Sequence, residues 1–185
     1  MNQIPVFGVE AFLPPVCGGL YLTHTEIFED PRLGVSVRYQ GSGSMRADVY
    51  LYNLGLPDIP TDLRSPDVLE WFQGAWQDVL TVAEYKQYLE MGQPTFQYFH
   101  IPPDKPEPFC LWASFSYRQA PGPEVLFVGR QISHLTLRTD RGFINKVRYS
   151  YPDMEEANEV QFRSFLGFLL EWTAAVQQFS YSTID

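Results

Sequence analysis

The sequence contains few cysteines, few basic residues and no long apolar run. Its two cysteines, Cys17 and Cys110, form neither a disulfide framework nor a metal-binding motif, so we expect two free, largely buried thiols in a cytoplasmic protein. No stretch reaches the ~20 apolar residues that a membrane helix needs, and the first residues lack the basic and apolar regions of a signal peptide. These scarcities argue against membrane-spanning and disulfide-stapled classes of protein.

Basic residues are outnumbered by acidic ones, 13 against 22, and the formal net charge is -9. General nucleic-acid binding depends on neutralising phosphates with lysine and arginine, so this balance argues against it. RNA binding on an aromatic sheet face is also disfavoured, because the aromatic-basic motif of such proteins is missing.

Motifs for a metal, a cofactor or an activated nucleophile are missing as well. The three histidines, His24, His100 and His134, lie on separate predicted strands, and none has a second ligand at metal-binding spacing. The sequence has no phosphate-cradling glycine-rich loop and no GxSxG elbow. We therefore predict no metal, no cofactor and a function that is not catalytic.

The apolar and aromatic content, in contrast, is sufficient for an ordered core. Of the 185 residues, 45% are hydrophobic and 16% are aromatic, and prolines and glycines separate short elements. A chain of this length buries roughly 70% of the surface of its unfolded state. We predict a single domain over residues 1–185, with residues 1–18 as an irregular segment packed on the remainder.

Strand-forming patterns occur before and after one long helical segment. Side chains that favour strands, or that alternate between apolar and polar, are typical of an antiparallel sheet, here of about six to seven strands. The predicted strands are Leu20–Phe28, Leu33–Tyr39, Ala47–Leu51, Thr95–Ile101, Phe109–Tyr117, Val125–Thr139 and Phe143–Tyr151.

Two amphipathic helices are predicted from three- and four-residue apolar spacing. The first begins at Ser65-Pro66, a capping residue followed by a proline suited to the first helical position, and extends to about Gly92. The second begins at a capping box of Asp153 and Glu156. Its predicted buried stripe is Phe162, Phe165, Leu166, Leu169, Trp172 and Val176.

The order of elements is βββ-α-ββββ-α, which predicts an α+β layered domain whose antiparallel sheet is flanked by the two helices. This order resembles the Mog1/PsbP-like sandwich, in which helices flank a central antiparallel sheet. The resemblance is one of topology over most of the chain and rests on no sequence motif.

The hairpin between the last two strands decides which side chains share a sheet face. A two-residue loop at Arg141-Gly142 places Leu137 opposite Lys146 and mixes charged and apolar side chains on both faces. A three-residue loop, Asp140 to Gly142, separates them better and places His134 opposite Arg148. We predict the second register.

That register gathers positive charge on one face of an acidic protein. Between Arg118 and Arg148 there are six basic residues against two acidic ones. Such a face is either solvated and paired internally, or it binds an anionic ligand or an acidic partner. The predicted binding residues are Trp112, Arg118, His134, Arg138, Lys146 and Arg148.

Two further hypotheses concern other side chains. Trp71 and Tyr85 fall off the apolar stripe of the first helix, and exposed aromatic residues favour a protein partner or self-association. The alternative to a binding protein is a hydrolase-like or transferase-like enzyme, with a pocket near Cys17, His134 and Arg148. In that case the pKa of the Cys17 thiol has to be depressed.

Overall fold

The protein is described by a computed structural model covering residues 12–119, 121, 129–140 and 142–182. The predicted α+β class is confirmed, with two long helices and, within these residues, nine strands instead of six to seven. The additional strands have two residues each. The elements are β1 Val16–Cys17, β2 Leu20–Ile27, β3 Val35–Gln40, β4 Arg46–Tyr52, α1 Pro66–Tyr85, β5 Tyr88–Leu89, β6 Thr95–Phe99, β7 Cys110–Gln119, β8 Arg130–Asp140, β9 Phe143–Pro152 and α2 Asn158–Ser182.

The predicted irregular segment over residues 1–18 is only partly testable, because residues 1–11 lie outside the described residues. Within 12–18 the prediction needs a correction, since Val16–Cys17 pairs with the start of β2. The preceding residues do pack on the domain: Leu13 contacts the core, and the Tyr39 hydroxyl donates a hydrogen bond to the Pro14 carbonyl at 2.9 Å.

All strands belong to one antiparallel sheet in the order β1-β2-β3-β4-β9-β8-β7, and β5 and β6 both pair with the outer side of β7. The last strand in the chain, β9, therefore lies between β4 and β8. It joins the meander of the first four strands to the second half of the sheet, so residues about one hundred positions apart become neighbours.

Helix α1 begins where the sequence predicts. The Ser65 hydroxyl accepts a hydrogen bond from the Val68 backbone N–H at 3.3 Å, and Pro66 occupies the first turn. The helix ends at Tyr85, earlier than predicted, because Gln87 adopts a left-handed conformation with φ 51°. The chain then turns back toward the sheet as β5.

Helix α2 begins at Asn158, and the predicted capping box at Asp153 and Glu156 is wrong. The Asp153 backbone N–H donates to the Arg130 carbonyl at 2.7 Å, which holds Asp153 at the end of the sheet. Its carboxylate accepts a hydrogen bond from the Asn158 side chain at 2.8 Å instead of capping a helix. Two residues of the predicted stripe, Phe162 and Leu166, are half-buried. The other four are buried, namely Phe165, Leu169, Trp172 and Val176.

The two helices cover opposite faces of the sheet, and each face has its own core. On the α2 face, Val37, Val49, Val147 and Tyr149 pack with Phe168 and other residues of α2. On the α1 face, alternate residues of β7 and β8 pack with Val68, Phe72, Ala75 and Val79 of α1. The apolar side thus changes across the sheet, since β3, β4 and β9 are mainly apolar toward α2 while β7 and β8 are apolar toward α1.

The predicted register of the β8–β9 hairpin is wrong. Asp140 pairs with Phe143 and Leu135 pairs with Arg148, so the loop contains two residues, of which Arg141 lies outside the described part of the chain. The prediction assumed one apolar and one polar face. Helices cover both faces of the sheet, so each face carries apolar as well as charged side chains. The two-residue loop was rejected because it mixes these side chains on both faces, and that mixture is what this fold requires.

Candidate functional site

The predicted basic face is divided between the two sides of the sheet. Residues that are Cα partners in neighbouring strands share a face; Leu135 pairs with Arg148, and His134 pairs with Tyr149. His134 therefore faces α2 whereas Arg148 faces α1. Of the other predicted binding residues, Trp112, Arg118 and Arg138 belong to the side of His134, and Lys146 to that of Arg148.

His134 is a core residue and not a surface cation. Its ring is 3% exposed, accepts a hydrogen bond at Nδ1 from the Trp112 indole N–H at 3.2 Å, and shares another with the Tyr151 hydroxyl at 3.0 Å. The Phe165 ring stacks on it with a centroid distance of 4.5 Å. Burial lowers the pKa of His134 to about 3, so the imidazole is neutral and contributes no positive charge.

Three of the predicted cations are paired internally, which was one of the two interpretations of a basic face. Each lies within ion-pair distance of a carboxylate, so its charge is compensated by the protein itself. The pairs are Arg138 with Asp140 at 2.7 Å, Lys146 with Asp78 at 3.0 Å and Arg118 with Glu90 at 3.7 Å.

The alternative enzymatic pocket is not assembled. Cys17 packs in the core on the α2 face, where its thiol donates a hydrogen bond to the Phe168 carbonyl at 3.5 Å, whereas Arg148 faces α1. Burial, followed by the nearby Glu171 carboxylate, raises the pKa of the Cys17 thiol to about 12. An ionised nucleophile is thus disfavoured at this position. Both cysteines are free and buried, as predicted.

The partner hypothesis requires Trp71 and Tyr85 of α1 to be exposed, and one of the two is. Tyr85 is 86% exposed, whereas Trp71 is half-buried against the α1-face core. A protein partner or self-association therefore stays a prediction.

A cavity lies where the α1 face is polar. The core residues of α1 lie over β7 and β8. The neighbouring strands β3, β4 and β9 turn polar residues toward the same side of the sheet. Between these strands and the end of α1 is an opening of about 260 Å³. We refer to it as the basic pocket, after the four cationic residues in its wall, Arg38, Arg46, Lys86 and Arg148.

The floor of the basic pocket is a row of charged residues across three strands. Asp48 of β4 is the Cα partner of Arg38 on one side and of Arg148 on the other. Its carboxylate is 8% exposed at the residue level and accepts from Arg38 at 2.7 Å and from Arg46 at 2.6 Å. Both of its oxygens are thereby used by the two arginines of β3 and β4.

Arg148 is positioned by polar and aromatic neighbours. Its Nε donates to the Ser133 hydroxyl and its Nη2 to the Tyr88 hydroxyl, both at 3.2 Å. Its guanidinium carbon lies 5.5 Å from the ring centroids of Tyr88, Phe115 and Tyr117, within cation–π range. No carboxylate of the described residues lies within ion-pair distance of it, and the charge of Asp48 acts on it only from across the ladder.

The wall opposite the sheet comes from the segment after α1. Lys86 caps the helix through its backbone N–H, which donates to the Val82 carbonyl at 2.8 Å. After the left-handed Gln87, the ring of Tyr88 stacks on Tyr117 at a centroid distance of 4.1 Å and an angle of 16°. Lys86 is not ion-paired with any carboxylate in the described part of the chain, and it is the second uncompensated cation of the basic pocket.

The charge of the pocket contrasts with that of the protein. Four cationic residues and one carboxylate line it, in a chain whose net charge is -9. Burial raises the pKa of Tyr117 to about 12, and burial followed by the Asp48 charge raises that of Tyr50, so both hydroxyls stay protonated. Chemically, the pocket offers hydrogen-bond donors and positive charge, the complement of an anion. Within the described ranges, no three His, Cys, Asp or Glu side chains cluster as a metal ion requires.

Arg38, Arg46, Asp48 and Lys86 were not among the predicted site residues. The sequence signal for three of them was the alternation of polar and apolar residues in β3 and β4, where Arg38, Arg46 and Asp48 occupy polar positions. That alternation indicates a polar face but not what lies opposite it. The pocket depends on β9 pairing with β4 and on the chain returning after α1, and neither is visible in a local pattern.

Comparisons with known proteins give one similar structure. No protein-family model matches the chain, and no curated protein sequence matches it. The solution structure of cyanobacterial PsbP (CyanoP) from Synechocystis sp. PCC 6803 is similar with a TM-score of 0.41 and 12% identity, over 81% of this chain and 85% of that chain. No property of that protein is assigned to this chain at such a similarity. Neither α1 nor α2 is apolar enough along its described residues to cross a membrane.

Proposed function

We propose that this protein binds a small anionic ligand in the basic pocket, without catalysing a reaction on it. The observation that carries this proposal is the state of Arg148: it is fixed by two hydrogen bonds and three aromatic rings, reaches a cavity and has no carboxylate partner among the described residues. An anion in the cavity would complete its coordination.

The energetics of the pocket support the same conclusion. Four cationic side chains around one cavity repel each other, and Asp48 compensates only part of their charge. Like charges in proximity cost stability unless a ligand or partner uses them. In a protein whose net charge is -9, a pocket lined by four cationic residues and one carboxylate attracts anions from solution.

Binding of simple oxyanions tests the proposal. We would titrate the protein with sulfate, phosphate, malonate and acetate at constant ionic strength, and follow amide chemical shifts by heteronuclear NMR. We expect saturable shifts at Arg148, Tyr88 and Ser150 with at least one of these anions. Arg148→Gln should weaken that binding by about tenfold or more, because charge-assisted hydrogen bonds are lost.

Two other variants make the result specific. Lys146→Gln removes one positive charge from the same sheet face, but Lys146 is paired with Asp78 and does not line the pocket, so affinity should change less than about twofold. Lys86→Gln removes a cation on the other wall and should weaken binding without disturbing the fold. Absence of saturable binding by any of the four anions, or equal binding by Arg148→Gln and Lys146→Gln, would overturn the proposal.

A further inference from the structure

We infer that the ligand of the basic pocket is a small phosphate monoester whose organic part carries a ring, an inference that rests on the anion binding proposed above. The phosphoryl group would lie among the four cations, and the organic part along the tyrosine rings of the wall. Four features favour this class of ligand. They are the number and direction of the hydrogen-bond donors, the charge of the pocket, its volume, and the chemistry of the rest of its wall.

The donors reach the cavity from several directions. Arg38 comes from β3, Arg46 from β4, Arg148 from β9 and Lys86 from the residue after α1. A carboxylate offers two oxygens in one plane, which suits a single arginine. A phosphate monoester offers three strong acceptor oxygens around a tetrahedral centre, which suits cations that surround it.

The charge of the pocket fits a dianion. Its cationic residues exceed its carboxylate by three positive charges, since Asp48 is the one acidic residue among the lining residues. A monoanion leaves most of this excess uncompensated. A phosphate monoester carries about -1.5 to -2 charges at pH 7, which neutralises the two cations that have no carboxylate partner in the described structure.

The cavity is larger than a phosphate group but smaller than a typical drug-sized site. Its volume of about 260 Å³ is the space of roughly nine water molecules at ~30 Å³ each. A phosphate group, with five non-hydrogen atoms, fills only part of that space. The remainder fits one small organic group, and the total lies just below the ~300 to 1,000 Å³ range of drug-sized ligand sites.

The rest of the wall is part aromatic and part polar. Three tyrosines, Tyr50, Tyr88 and Tyr117, line it together with Val82 and the polar residues Ser44, Gln131 and Ser150, and the hydroxyl of Tyr117 donates a hydrogen bond to the Gln131 side chain at 3.0 Å. Tyr88 and Tyr117 stack on each other and the Arg148 guanidinium lies 5.5 Å from both ring centroids, so apolar ring surface adjoins a cationic centre. An organic group that carries a ring can pack on them, whereas a purely polar one gains nothing from them.

Affinity for phenyl phosphate tests this inference, with calorimetry on the complete chain at pH 7.5. We expect phenyl phosphate to bind about tenfold more tightly than inorganic phosphate, and more tightly than sulfate or malonate. Tyr88→Leu should remove most of the advantage of phenyl phosphate over inorganic phosphate, and Tyr88→Phe should retain it, because the ring that stacks on Tyr117 is kept. Equal affinities for phenyl phosphate, sulfate and malonate would overturn the inference.

The pH dependence gives a second readout. The charged and titratable groups of the lining are three arginines, Lys86, Asp48 and three tyrosines, while His24 is the cross-strand partner of Arg38. The second pKa of a phosphate monoester is about 6, so its affinity should increase about fourfold from pH 5.5 to pH 7.5 if the dianion binds. Sulfate stays a dianion over this range, so its affinity corrects for any titration of the protein itself. A phenyl phosphate affinity that follows the sulfate affinity at every pH would count against a dianionic phosphoryl group.

The outcomes separate this inference from the proposed function. If malonate or sulfate binds as tightly as phenyl phosphate and Arg148→Gln abolishes the binding, the anion pocket stands and the phosphate monoester is wrong. If none of these anions binds, both fail. If a tyrosine-phosphorylated peptide binds more than about tenfold more tightly than phenyl phosphate, the ligand is a phosphorylated protein and the small-molecule class is overturned.

Discussion

Arg148 lies directly across the β4–β9 ladder from Asp48, yet the two side chains do not form an ion pair. Arg38 and Arg46 use both oxygens of the Asp48 carboxylate. Two arginines on neighbouring strands therefore withhold the nearest negative charge from a third, which leaves Arg148 available to a ligand. Asp48 thus determines how much positive charge the basic pocket presents.

The first prediction is that Asp48→Asn lowers stability and raises affinity for anions. Stability should decrease by about 1 to 2 kcal/mol, because two charge-assisted interactions are lost but both arginines are partly exposed to solvent. Affinity for sulfate should increase, since the basic pocket gains one net positive charge and Arg38 and Arg46 no longer direct hydrogen bonds to Asp48. Chemical denaturation and sulfate titration measure the two effects.

The matched control for this variant is Asp140→Asn, which removes the carboxylate that pairs with Arg138 at 2.7 Å on the other face of the sheet. It should lower stability without changing sulfate affinity. A decrease in sulfate affinity on Asp48→Asn would instead mean that Asp48 orients the guanidinium groups of its neighbours and does not compete with the ligand.

The strands and helices could be predicted because their signals are local. The Ser65-Pro66 start of α1 and the alternation in β3 and β4 depend on residues within a few positions of each other. The β8–β9 register could not be predicted in the same way. It depends on whether a helix covers each face, and the charged residues Lys146 and Arg148 share their face with the apolar Leu135 and Leu137 of the neighbouring strand.

Arg148 is the one predicted binding residue that lines the pocket, and its neighbours there differ from those predicted. His134 was grouped with it by the wrong register. Arg38 and Asp48 are near each other in sequence and in space. They form the floor of the basic pocket only because β9 pairs with β4 and places Arg148 beside Asp48. Long-range pairing of this kind is set by the packing of both cores, not by the sequence around any one residue.

The second prediction concerns the two thiols. Burial raises the pKa of Cys17 to about 12 and raises that of Cys110 further above its ordinary value, so neither is ionised near neutral pH. In the native protein at pH 8, a thiol reagent such as DTNB should react with neither cysteine within minutes. In guanidinium chloride both should react. Rapid modification of one native thiol would show that its element opens locally.

The third prediction is that His134 makes stability depend on pH. The unfolded chain binds a proton at this residue below about pH 6.5, whereas the folded state binds it only near its pKa of about 3. Unfolding therefore takes up a proton between these values, and stability decreases as the pH falls from about 6.5 to about 3, by at most roughly 1.4 kcal/mol per pH unit.

Denaturation from pH 7 to pH 4 checks this, with the His134→Gln variant for comparison. The variant should lose less stability over the range than the parent protein, because it lacks the buried imidazole whose protonation is suppressed by folding. Identical slopes for His134→Gln and the parent would show that the imidazole is already accessible to protons in the folded state.

The fourth prediction compares two glycines with nearly equal backbone conformations, Gly34 with φ 63° and Gly43 with φ 62°. A Cβ atom at Gly34 would lie 2.0 Å from the Leu51 carbonyl oxygen, whereas at Gly43 it would meet nothing within 4 Å. Gly43→Ala should therefore cost only the left-handed backbone strain, about 1 to 2 kcal/mol. Gly34→Ala should cost about 2 kcal/mol more, because the start of β3 has to move away from β4. Equal midpoints of denaturation for the two variants would mean that β3 shifts at no cost.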